Sequence, residues 1–131
     1  MFQHDRILIV EDNVYLGLDL SNTIEDCNGH VVGPVRTVAE ALSLIESQQL
    51  SGAVLDFHLE ERDSSPIAES LADQRVPFVI HSCVDLPFEI TSLYPSVPIL
   101  MKPLHPSFVL ECLLSEIRKN AARDRPISLP S

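Results

Sequence analysis

The chain has 131 residues, enough for one ordinary globular domain and too few for two. Hydrophobic residues make up 45% of it and charged residues 21%, so a core can form and disorder of the whole chain is disfavoured. A formal net charge of −10 argues against non-specific binding to nucleic acid or anionic membranes, which needs clustered Lys and Arg, and leaves room for a basic partner or a bound cation.

The first apolar run is Ile7–Val10. Asn13 follows as an N-cap, with Leu16, Leu20, Ile24 and Cys27 at helical spacing and Gly29 as a stop. Val31–Val35 is the second run. The segment TVAE at Thr37–Glu40 is a capping-box sequence, followed by Ala41, Leu42 and Ile45 on one face. Ala53–Leu55 is the third run. Ser65 and Pro66 then read as the N-cap and first residue of a helix carrying Ile67 and Leu71. Phe78–Ile80 is the fourth run. The segment VDLPFEITSLYPSVP contains three prolines and leaves room only for a short helix, Pro87 to Leu93. Val97–Leu100 is the fifth run. Pro106 can start a last helix with Leu110, Leu113, Leu114 and Ile117 as its apolar stripe, and Arg118, Lys119 and Arg123 suit its C-terminal dipole.

The runs are rich in Val and Ile and mostly do not alternate with polar residues, as expected of parallel strands covered on both faces. Alternation of strand and helix implies a single doubly wound α/β domain with right-handed crossovers, over residues 1–121, and a flexible tail over 122–131. Cys27, Cys83 and Cys112 are odd in number and form no C-x-x-C pair, so a reducing, cytoplasmic setting is expected. The N-terminus MFQHDRILIVED does not read as a secretory leader, and no run reaches membrane-spanning length.

In such folds ligands sit outside the carboxyl ends of the strands. Glu11 and Asp12 follow the first run, Asp56 the third, Ser82 the fourth and Lys102 the fifth, while the second ends in Gly33-Pro34. Taken singly, each has an ordinary structural alternative: a solvated turn, a cap or a surface charge. Taken together, the carboxylates would repel one another unless a hard divalent cation such as Mg²⁺ relieved them. Lys102 and Ser82 could grip phosphoryl oxygens, and Asp56 could attack phosphorus to give an acyl phosphate.

The blocks ILIVEDN, AVLDFHL, PFVIHS and PILMKP resemble those of response-regulator receiver domains of two-component signalling. The resemblance implies a flavodoxin-like (βα)5 fold with strand order 2-1-3-4-5, here with a short or irregular fourth helix. It implies Asp56 as phosphoacceptor, Asp12 as direct Mg²⁺ carboxylate, Glu11 acting mainly through water, and the His58 backbone carbonyl as a further ligand. Ser82 matches the hydroxyl that moves toward the phosphoryl group and Lys102 the phosphate-binding lysine. The implied partners are a sensor histidine kinase or histidine phosphotransfer protein and an unknown downstream protein, with a homodimer allowed and no nucleic acid or membrane. Such a chain phosphorylates and dephosphorylates itself but turns over no external substrate.

Several positions depart from the pattern. Ile99 stands where an aromatic residue usually reports switching. Cys83 follows Ser82 where Ala or Gly is usual, and reads as a small buried hydrophobe rather than a redox sensor. His58 occupies the position that faces the incoming water, with an expected influence on phosphate lifetime. No effector domain follows, so a stand-alone or truncated receiver is expected. Two other readings compete: a pseudo-receiver that binds partners without phosphorylation, and a metal-dependent phosphohydrolase, which commonly has a second Asp where this chain has His58.

Overall fold

The Val- and Ile-rich runs become strands because helices cover both faces of the sheet they build. The computed structural model describes residues 1–59 and 62–124. Strands and helices alternate as β1 (Arg6–Val10), α1 (Val14–Asp26), β2 (His30–Val35), α2 (Val38–Ser47), β3 (Gly52–Leu55), α3 (Ser65–Asp73), β4 (Phe78–Ser82), α4 (Phe88–Leu93), β5 (Ile99–Met101) and α5 (Pro106–Asp124). All four sheet pairings are parallel and the order is β2-β1-β3-β4-β5, which is the flavodoxin-like arrangement.

The pleat sends alternate side chains to two cores. Leu8, Val10, Leu55 and Ile80 join Ala41, Ile45, Ile67 and Leu71 on the α2–α3 side. Ile7, Ile9, Val54 and Val79 join Leu20, Ile24, Val109 and Leu113 on the α1–α5 side. Phe57 is buried, as core packing. Among the described residues, no helix is long and apolar enough to cross a membrane.

The caps follow local chemistry, with small shifts from expectation. The Asn13 side chain accepts from the Leu16 N–H at 3.0 Å, and Thr37 and Glu40 close their capping box. The N-cap position of the third helix is Ser64 rather than Ser65, without a side-chain capping bond, so Pro66 lies one residue further in. At the end of α1 the residue with positive φ is Asn28, at 68°. Gly29 is needed instead for close approach, since a Cβ there would meet Ile24 Cγ2 at 2.7 Å. Gly33 has φ +95° and marks a register shift in edge strand β2, where Pro34 is tolerated.

Pro98 delays the fifth strand, which starts at Ile99 rather than Val97. The short fourth helix forms where expected, one residue after Pro87, and buries none of its residues. The last helix continues to Asp124, past the expected boundary at residue 121, and residues 125–131 of the expected tail lie outside the described residues.

Candidate functional site

Parallel strands share one direction, so the residues following β1, β3, β4 and β5 gather at one edge of the sheet. Asp56 sits there at the centre, 4% exposed, with its N–H donated to the Val10 carbonyl at 2.8 Å. Glu11 is buried beside it and Asp12 is half-buried. Each of Glu11, Asp12 and Asp56 offers a carboxylate oxygen, and these lie within 4.8 Å of one another.

Lys102 closes the cluster. Its Nζ lies 2.8 Å from Glu11 Oε1 and 3.2 Å from Asp56 Oδ2. Its backbone N–H donates to the Ser82 carbonyl at 2.7 Å, which ties the lysine loop to the end of β4.

The electrostatics follow from burial and crowding. Burial, and then the adjacent Glu11 carboxyl, push the Asp56 carboxyl up to about 8 against the opposing pull of Lys102. Burial pulls the Lys102 ammonium down, yet its bonds and charges with Glu11 and Asp56 outweigh that and leave it raised. The site thus holds more negative charge than one ammonium balances.

The carboxylates suit a hard cation, which takes oxygen donors. The donor set present, three carboxylates with oxygens within 4.8 Å of one another, is of the kind that Mg²⁺ takes. The His58 N–H donates to Asp56 Oδ1 at 3.2 Å, and His58 pairs with Asp63 in an isolated antiparallel bridge. That bridge is made by the Phe57 carbonyl and the Leu59 N–H, so the His58 carbonyl takes no part in either bond. The exposed His58 ring stands edge-on to Phe57, centroids 5.3 Å apart.

Ser82 is buried, and its hydroxyl donates to the Val84 carbonyl at 2.9 Å. One expected feature is placed otherwise. Cys83 is exposed, because β4 ends at Ser82 and the chain turns outward there, so it is not a buried hydrophobe. Ile99 is half-buried and packs on the α2–α3 core.

Three site residues escaped the sequence reading. Ser64 is fully buried and its hydroxyl donates to the Asp56 carbonyl at 2.6 Å, lashing the start of α3 to the strand end. The signal was the Ser-Ser-Pro run, read one residue out of register. Arg36 and Arg62 flank a cleft of about 380 Å³ that opens beside Asp12. They sit in loops, where spacing carries no signal.

No family model and no curated protein matches the chain. Solved structures do. The chain is similar to SdrG from Sphingomonas melonis Fr1, at 32% identity over 90% of this chain and 99% of that one, with a TM-score of 0.72. It is similar in fold to a response regulator receiver protein from Sinorhizobium medicae WSM419, at 24% identity over 90% and 98% of the two chains, with a TM-score of 0.79. It is also similar in fold to the receiver domain of a sensor histidine kinase from Pseudomonas aeruginosa PAO1, solved with a magnesium ion coordinated in its active-site cleft. There the identity is 20%, over 87% and 98% of the two chains, and the TM-score is 0.73.

Proposed function

We propose that this chain, which belongs to the response-regulator receiver domains, accepts a phosphoryl group on the carboxylate of Asp56. The observation that carries the reading is the Lys102 ammonium bridging Glu11 and Asp56 within a cluster of carboxylates at the strand ends. Glu11, Asp12, Asp56 and the His58 carbonyl would hold Mg²⁺. Bound there, the ion supplies charge neutralisation and orients phosphoryl oxygens.

The chain's own groups do the rest. A carboxylate oxygen of Asp56 attacks phosphorus as the bond from phosphorus to the donor's imidazole nitrogen breaks, and the electron pair leaves with the imidazole. Lys102 offsets the charge on the transferred oxygens. Ser82 must give up its bond to Val84 before its hydroxyl can donate to the phosphoryl group. The donor is a sensor histidine kinase or a histidine phosphotransfer protein. The output is contact with a downstream protein, with a homodimer as one form of it.

Mg²⁺ plus acetyl phosphate should label the wild type. Titration with Mg²⁺ should saturate, and Asp12→Asn should weaken binding at least about tenfold. Unchanged Mg²⁺ affinity in that variant would remove Asp12 from the ligand set. His58→Ala should fold normally, because the ring is exposed, and should change the dephosphorylation half-life. An unaltered half-life would show that the His58 ring does not screen the attacking water.

The second reading is a pseudo-receiver that binds its partner without phosphorylation. It is favoured by one observation, the half-buried Ile99 at the position where an aromatic residue usually reports switching. Absence of any Mg²⁺ binding would decide for it.

A further inference from the structure

The end of the sheet opposite the carboxylate cluster carries a second pair of metal-ligating side chains. His4 lies just before β1 and His30 opens β2, while Glu11 and Asp12 follow the far end of β1. The ring centroids of His4 and His30 are 6.2 Å apart, and the rings are tilted by 44°. Both side chains are exposed, so an ion in solution can reach them.

The backbone holds the pair in place. The Phe2 N–H donates to the Cys27 carbonyl at 2.9 Å and the His4 N–H to the Asn28 carbonyl at 3.0 Å, while the His30 N–H donates to the Asp5 carbonyl at 2.8 Å. The buried Phe2 side chain pins the same segment in the α1–α5 core. Within this knot His4 has φ 59°, a left-handed conformation that is uncommon for a residue with a Cβ and persists where the surroundings impose it. The fold thus sets where both side chains start, and only their own torsions remain to adjust.

Two imidazoles at this separation suit one shared ion. With about 2.0–2.1 Å from nitrogen to metal, rings on a tetrahedral ion have centroids roughly 5 Å apart, and rings facing each other across it roughly 6.4 Å. The observed spacing falls between these limits. The surroundings also favour positive charge. His30 lies just past the C-terminal end of α1, where the helix dipole is negative, and the last turn of α1 holds no basic residue and ends in the exposed Asp26. Imidazole suits Zn²⁺, Ni²⁺ and Cu²⁺, whereas Mg²⁺ takes hard oxygen ligands, so this pair and the carboxylate cluster select different ions.

We propose that His4 and His30 bind a divalent transition metal, with water completing its coordination, and that the ion fastens the Phe2–Asp5 segment to the start of β2. The site does not depend on the phosphoacceptor reading, since it shares no residue with it.

The test uses the full chain with stoichiometric Zn²⁺ as the probe, in excess Mg²⁺ to compete at the carboxylates. Zn²⁺ should raise the melting temperature of the wild type. On a ¹⁵N-labelled sample the ring signals of His4 and His30 should shift together. His4→Asn, which keeps a residue at ease in the left-handed conformation, and His30→Ala, at an exposed edge position, should melt like the wild type without metal. Each should bind Zn²⁺ at least about tenfold more weakly by calorimetry. Wild-type Zn²⁺ affinity in either variant overturns the inference. So does a Zn²⁺ titration that moves the signals of one ring only, or of neither.

Discussion

Asp56→Asn should abolish labelling by acetyl phosphate and Mg²⁺ while making the fold more stable. The amide lacks the nucleophilic oxygen pair, so no acyl phosphate can form. Its stabilising effect comes from removing a buried acid among other acids. Folded Asp56 holds its proton to about pH 8, against 3.8 for the ordinary carboxyl. Its contribution to stability is complete below pH 3.8 and is lost as pH rises through that window, because unfolding then releases a proton. The advantage of the Asn variant should therefore widen from pH 5 to pH 8, at no more than about 1.4 kcal/mol per pH unit. Chemical denaturation at the two ends of that range checks it. Undiminished labelling of the variant would remove Asp56 from the acceptor role, whatever the stability shows.

Lys102→Ala should have the opposite effect on stability. The ammonium is the cation bonded to both Glu11 and Asp56, and its loss leaves buried carboxylates facing each other. Removing one partner of a buried ion pair costs about 3–5 kcal/mol. Here the cost should sit at or below the low end, since Lys102 is 16% exposed and Asp56 can stay protonated. The labelling rate should fall at least about a hundredfold, as for loss of one electrostatic stabiliser of the transferred group. Mg²⁺ should raise the melting temperature of the variant more than that of wild type, because the ion then supplies the positive charge that the lysine gave. An equal Mg²⁺ effect on both proteins would show that lysine and metal act on separate groups.

Much of this was legible in the sequence, because it depended on pattern. Non-alternating Val and Ile runs at regular intervals specify a covered parallel sheet, and such a sheet fixes which loops converge. Glu11, Asp12, Asp56 and Lys102 could be gathered from strand ends alone. What escaped depends on details that no periodicity encodes. Ser64 differs from Ser65 only by a one-residue slip of helix register. The outward position of Cys83 follows from where β4 stops, and the bond between Ser82 and Val84 from the turn that follows. The nearness of His4 to His30 was invisible for another reason. The two lie in separate parts of the chain with no motif spacing between them, and only the pairing of β1 with β2 brings their rings together.

The six residues of α4 add no buried side chain to either core, and only Leu86, Ile90 and Tyr94 in and around the helix lean on one of them. The free energy of unwinding this helix is then a small fraction of the whole, since local opening exposes little apolar surface. The segment next to Ser82 can therefore sample other shapes while the sheet stays closed. A partner that captures one of those shapes needs little binding energy to do so, and the site at the strand ends needs only a small bias to choose among them.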